Sequence, residues 1–142
     1  MLTLAIIKPD AVQAGNAGKI LAHLEGQGFR LRAARMLRLS LAQAEAFYAV
    51  HRARPFFRSL VDFMTSGPCV ALALERDDAV AVLREVIGAT DPAEAKPGTI
   101  RQRYAQSKER NAIHASDSPD TAAREVAFFF TEAGLADSAR SP

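Results

Sequence analysis

The sequence predicts an α+β domain, a four-stranded antiparallel sheet covered by helices. Strand-like and helical stretches alternate in the order strand, helix, strand, helices, strand, helix, loop, strand, helix. That is a split βαβ pattern. Residues 69–74 are apolar on both faces, as in a central strand covered on both sides. Residues 29–39 set Phe29, Leu31 and Ala33 against Arg30, Arg32 and Ala34, the period of a half-buried strand.

Each element has its own signal. Residues 3–7 form a short apolar run, read as the first strand. Residues 18–27 put Ile20, Leu21 and Leu24 on one helical stripe, and Gly28 can close that helix. Ser40 with Gln43 is a capping box, so a helix starts there and runs to about residue 50. Pro55 starts another short helix, to about residue 64. Asp77 caps a helix carrying Val80, Leu83 and Ile87, closed by Gly88. Residues 90–110 are rich in Pro, Gly and charge and read as a long loop with one helical turn. Such a loop in a compact domain is usually functional. Residues 112–114 form a short strand, and Ser118 starts the last long helix, to about residue 132. Residues 1–142 read as one domain, of which about 134–142 are a surface tail. The arrangement is ferredoxin-like, and by itself such a fold says nothing about function.

Composition narrows the class. A chain of 142 residues suits one domain with a real core. Its 49% hydrophobic and 24% charged residues are ordinary for a soluble protein, and the formal charge of +2 gives no bulk attraction to polyanions. The one cysteine, Cys69, forbids an internal disulfide and fits a reducing compartment. There is no charged-then-apolar leader, and no apolar run near the ~20 residues of a membrane span. A cytoplasmic location away from the membrane is the expectation.

The most informative stretch is Asn111-Ala112-Ile113-His114-Ala115-Ser116-Asp117-Ser118-Pro119. Ser118 is a good N-cap and Pro119 suits the first helical position. His114 therefore sits where a strand gives way to a turn. A neutral imidazole there is a ready nucleophile near pH 7. A capped turn whose histidine merely fills space is the plainer reading. On the following helix, Ser118, Ala122, Glu125 and Phe129 share a face. A carboxylate on that stripe needs a partner. The partner is either His114, directly or through Ser116, or a surface arginine at the border of the face.

The histidine segment resembles the active-site segment of nucleoside diphosphate kinases, in which the histidine is phosphorylated. Further pieces fall in that family's order along residues 4–130. These are Ala5-Ile6-Ile7-Lys8-Pro9-Asp10, Arg54-Pro55-Phe56-Phe57, Ser66-Gly67-Pro68, Gly88-Ala89-Thr90-Asp91-Pro92-Ala93 and Lys96-Pro97-Gly98-Thr99-Ile100-Arg101. The resemblance implies transfer of the γ-phosphoryl of a nucleoside triphosphate to His114 and then to a nucleoside diphosphate, a ping-pong scheme. It puts Glu125, Lys8, Tyr48 and Ser116 beside His114 in the catalytic centre. It makes Lys8, Arg84, Thr90 and Arg101 phosphate binders and Phe56 the platform under the base. Asn111 with Lys8 would hold the ribose 3′-hydroxyl. Asp117 would lie near a Mg²⁺ that arrives on the nucleotide and keeps most of its waters. For each arginine the plainer reading is a solvated charge, and for Tyr48 a core tyrosine with a satisfied hydroxyl.

No direct metal ligand set is visible, and the usual phosphate loop is absent. Residues 15–20 imitate a Walker A loop, but Gln13 and Ile20 stand where Gly and Ser or Thr belong. Triphosphate would have to be gripped by side chains. The chain departs from the family at Ala115, where glycine is common, at Lys108, where an apolar residue often covers the base, and at Arg103. His23 and His51 have no assigned role. The expected partners are ATP and other nucleoside tri- and diphosphates, together with further copies of the chain in a tetramer or hexamer. The long loop would be costly to order alone. No specific nucleic acid is expected. The same topology serves RNA-recognition domains, but residues 69–74 and 112–114 lack the stacking aromatics those display. An inactive paralogue kept as a nucleotide sensor is disfavoured by His114, Lys8 and Arg101 together.

Overall fold

The computed structural model describes residues 1–136. Strand β1 (Leu2–Ile7) lies inside a sheet of order β2-β3-β1-β4, with β2 (Arg30–Leu37), β3 (Cys69–Glu75) and β4 (Ile113–Ala115). Every pairing is antiparallel. The α+β sheet read from the sequence is therefore the observed one.

Alternation in the central strands builds two cores. Ala5 and Ile7 of β1, with Leu72 and Leu74 of β3, meet α2 (Ala17–Gly26), α5 (Ala79–Ile87) and α6 (Ile100–Tyr104). Leu4, Ile6, Ala71 and Ala73 face α3 (Leu41–Phe47), α4 (Phe57–Met64) and α7 (Pro119–Phe129). Leu4, Ile6, Leu72, Leu74 and Leu83 are fully buried. Each such side chain stabilises the fold by roughly 1.5–3 kcal/mol relative to exposure.

Local chemistry sets the element ends. Ser40 and Gln43 form the reciprocal capping box. Ser118 Oγ accepts from the Thr121 amide, with Pro119 at the first position of α7. Gly28, at φ 89, follows the end of α2.

Several expectations shift. Helix α1 (Pro9–Gln13) has no periodic signal, because a five-residue helix cannot show one. The alternation in β2 breaks at an irregularity between Leu31 and Ala33, so Leu31 and Met36 end up exposed on this edge strand. The helix after Ser40 stops at Phe47 and gives way to a 3₁₀ turn at Ala49–His51. Helix α4 begins at Phe57, two residues after Pro55. The cap of α5 is Asp78, at φ 51, and not Asp77. The 90–110 region holds a 3₁₀ turn at Pro92–Glu94 as well as α6, which Thr99 caps by accepting from the Gln102 amide. Strand β4 begins one residue late because Ala112 stands at φ 75. Helix α7 ends at Phe129, and Leu135 packs on the second core. Of the expected tail, residues 137–142 lie outside the described residues.

Candidate active site

A cavity of about 990 Å³ opens where β1 ends and β4 begins. Lys8, Tyr48, Phe56, Arg84, Thr90, Arg101, Asn111, His114, Asp117 and Glu125 all line it. Ser116 is fully buried behind it.

His114 is in β4 opposite Ile6, which fixes its backbone in the sheet. Its Nε2 meets Glu125 Oε1 at 2.8 Å. Ser116 Oγ donates to the same carboxylate oxygen at 2.7 Å. Glu125 thus contacts the imidazole directly, and Ser116 shares the same carboxylate oxygen. Phe47 and Tyr48 stand edge-on to the imidazole, with ring centroids at 5.3 and 6.1 Å. With Nε2 committed to the carboxylate, the neutral ring carries its hydrogen there and its lone pair on Nδ1.

Tyr48 differs from a satisfied core tyrosine. Its hydroxyl is buried and has no hydrogen-bond partner among the described residues. Burial, followed by the charges of Glu125 and Cys69, pushes its pKa well above the ordinary value. The phenol keeps its proton and remains an unused donor.

On the other side of His114 the cavity floor is cationic. Lys8 follows β1 and is only 6% exposed. Its Nζ donates to Asn111 Oδ1 at 2.8 Å, and Asn111 Nδ2 donates to the Thr90 carbonyl at 3.3 Å. Burial, then repulsion by Arg101, lowers the Lys8 pKa to about 8, while Asp10 and Glu109 oppose the shift. Arg101 is equally buried and is tied to the carbonyls of Gly88 (3.1 Å) and Ile113 (2.7 Å). Burial and Arg84 bring its pKa down to about 10. Gly88 has to be glycine here: its φ is 88, and a Cβ would fall 2.5 Å from Thr99 Oγ1. Arg84 is exposed and reaches the Ala115 carbonyl at 3.4 Å.

Among the described residues the side-chain ion pairs are Arg32–Glu75, Arg58–Glu45 and His114–Glu125. Lys8 and Arg101 are therefore buried cations with no carboxylate in ion-pair contact. Buried charge without a partner is unfavourable. An anion between Lys8, Arg84 and Arg101 would relieve it.

Three carboxylates line the cavity: Glu109, Asp117 and Glu125. Glu109 is bonded to Ser59, and Glu125 to His114 and Ser116. Asp117 is exposed, with no such bond. Among the described residues no group of three or more His, Cys, Asp or Glu could hold a metal ion.

Sequence reading missed other lining residues. Thr121, Arg124 and Phe128 sit with Glu125 on the cavity face of α7. Their spacing of three and four from one another is the signal that could have found them. His51, left without a role, lies at the rim with its ring 5.4 Å from that of Phe56. His23 stays outside the cavity, with Nδ1 3.5 Å from Arg103.

A family model described as nucleoside diphosphate kinase matches residues 2–135. A nucleoside diphosphate kinase of Desulfatibacillum aliphaticivorans is 54% identical over 134 residues, covering 94% of this chain and 97% of the relative. The Aquifex aeolicus nucleoside diphosphate kinase structure superposes with a TM-score of 0.93 at 47% identity, covering 94% of this chain and 97% of that one. A halophilic nucleoside diphosphate kinase from Halobacterium salinarum, solved in complex with CDP, gives 0.94 at 40% identity, covering 99% of this chain and 93% of that one. A match over nearly the whole length, with relatives this close, means that the chain belongs to the nucleoside diphosphate kinase family.

Proposed function

We propose that this nucleoside diphosphate kinase moves phosphate between nucleotides through a phosphohistidine on His114. The observation that carries the assignment is the 2.8 Å contact of His114 Nε2 with Glu125. It leaves the Nδ1 lone pair as the nucleophile. Nδ1 attacks the γ-phosphorus of a nucleoside triphosphate, the N–P bond forms, and the bond to the β-phosphate oxygen breaks. The diphosphate leaves with that electron pair. The ring becomes cationic while Nε2 keeps its proton, and the Glu125 carboxylate offsets the new charge. A second diphosphate then attacks phosphorus, and Nδ1 recovers its pair.

The other groups divide the work. Lys8, Arg84, Thr90 and Arg101 bind the phosphates. Tyr48 offers its free hydroxyl to the phosphoryl oxygens. Asn111 and Lys8 hold the 3′-hydroxyl, and Phe56 stacks on the base. Asp117 would stand near a Mg²⁺ carried on the nucleotide, which would supply neutralisation of phosphate charge.

We also read the protein as a cytoplasmic homo-oligomer, tetramer or hexamer. Its one cysteine is a free, buried thiol, and among the described residues no helix is long and apolar enough to cross a membrane. The 90–110 region buries Ile100 and Arg101 within its own chain, so its ordering is weak support for assembly. Edge strand β2, with Leu31 and Met36 exposed, is the better support.

The test is incubation with γ-labelled ATP and mapping of acid-labile phosphate. Label on the peptide containing His114, discharged by added GDP, is the expected result. Label on any other residue overturns the assignment.

A further inference from the structure

Asp10 has no part in the chemistry above, yet it is a buried carboxylate, 6% exposed, two residues after the cavity-lining Lys8. Its Oδ2 accepts from the Ala112 amide at 3.1 Å, across 102 residues of chain. Its Oδ1 has no partner among the described residues.

Ala112 is one of the two non-glycine residues at positive φ among the described residues, and it is completely buried. The Ile113 amide donates to the Asn111 carbonyl at 2.9 Å. That bond closes a three-residue γ-turn with Ala112, at φ 75, in the middle. This hand of γ-turn is the rare and strained one. It persists only where the surroundings over-determine it. Here both polar groups of Ala112 are held from outside the turn. Its amide is held by Asp10, and its carbonyl by the Lys8 amide at 2.9 Å.

The turn has a geometric consequence. Asn111, just before it, points to Lys8 and Thr90. Ile113 and His114, just after it, are in register with Ile7 and Ile6 of β1. Relaxing Ala112 to an extended conformation would add a residue to β4 and displace Asn111 relative to His114.

We infer that Asp10 is a positioning residue: its carboxylate holds the strained turn at Ala112 and so sets Asn111 and His114 relative to one another. The inference rests on His114 as the phosphorylated residue. Lys8 is the other half of the turn's anchorage through its backbone amide, and its ammonium donates to Asn111. Asp10 therefore acts on the sugar and phosphate end of the site and on the nucleophile together.

The experiment compares full-length wild type, Asp10→Ala, Asp10→Asn, Ala112→Gly and Asp10→Ala/Ala112→Gly. Turnover is read well below the Lys8 pKa, so that losing the Asp10 charge leaves the lysine protonated. Asp10→Ala is expected to lower kcat by about 10- to 100-fold, the scale of a small misplacement of reacting groups. Asp10→Asn keeps an acceptor oxygen and is expected to stay within about threefold of wild type. Glycine adopts positive φ without penalty, so the double variant is expected to recover about tenfold over Asp10→Ala. A residue that only supported stability would give no such recovery. Unchanged turnover in folded Asp10→Ala overturns the inference. So does a double variant no better than Asp10→Ala. If Asp10→Ala does not fold, the Asn variant decides, and a loss of tenfold or more there overturns it. Absence of label on His114 in wild type also sinks it, together with the function it rests on. Normal labelling and turnover in Asp10→Ala sinks the Asp10 role alone.

Discussion

Lys8 Nζ donates to Asn111 Oδ1 at 2.8 Å, joining the end of β1 to the residue that opens the histidine segment. The bond uses one hydrogen of an ammonium that has three. The others remain for a ligand. Its pKa of about 8, lowered mainly by burial, places loss of charge just above neutrality in the free enzyme. kcat/KM, which reports the free enzyme, should therefore fall as pH rises through about 8. Stability moves the other way. Between about 8 and the ordinary 10.5 the unfolded chain binds more protons at this site than the folded one. This group's contribution to folding thus improves as pH rises through that window. Comparing denaturant midpoints of wild type and Lys8→Met across it isolates the effect. A kcat/KM flat to pH 10 would show that Lys8 charge is not needed.

His114→Ala should remove all label uptake and transfer. The fold should survive, since the His114 side chain is 19% exposed and belongs to neither core cluster. Acid-labile phosphate on the His114→Ala protein would show that the nucleophile is elsewhere. Circular dichroism of the variant checks that the loss is chemical.

Glu125→Gln keeps the size of the side chain and removes its charge. Glu125 Oε1 receives both His114 Nε2 and Ser116 Oγ, so an amide nitrogen at that point would face two donors. Turnover should fall by ~10- to 1000-fold, the span of groups that orient and handle protons. Ser116→Ala removes one donor and leaves the carboxylate on the ring, so its loss should be smaller. Equal turnover in Glu125→Gln and wild type would remove Glu125 from the mechanism.

The sequence was legible where local chemistry decides the structure. Ser40 with Gln43, and Ser118 with Pro119, announce their helices, and each cap is made by the expected atoms. Glu125 was legible because a carboxylate on the stripe of Ala122 and Phe129 needs a partner near His114. Ala112 was not legible. Alanine gives no hint of positive φ, and the turn is imposed by Asp10 and Lys8 from the far end of the chain. His51 escaped for a related reason. Only the turn after α3 carries it to Phe56. The breakdown of alternation in β2 comes from its irregular pairing with β3, which no single strand reveals.

The enzyme should accept many bases and distinguish poorly between ribo and deoxyribo nucleotides. Strong base selection needs buried polar groups that go unpaired with the wrong ligand. Phe56, the proposed platform, is 46% exposed and offers a π-face that suits any base. His51 lies against it, and Leu60 and the exposed Lys108 line the same cavity. Glu109 could read a base edge, but its carboxylate is occupied by Ser59 at 2.6 Å. The proposed sugar contacts, Lys8 and Asn111, address the 3′-hydroxyl, which both sugar types share. On the proposed reading, binding energy concentrates on the phosphates, through Lys8, Arg84, Thr90 and Arg101, and phosphates are common to all substrates. Purines should be somewhat better because they stack over more area. The measurement is kcat/KM for ADP, GDP, CDP, UDP and dTDP with one fixed donor. A spread beyond ~1000-fold would require about 4 kcal/mol of discrimination. Stacking supplies roughly 1–3 kcal/mol per base in all, and the difference between bases is only part of that. Such a spread would mean that Glu109 or His51 reads the base directly, with the Ser59–Glu109 bond giving way when nucleotide binds.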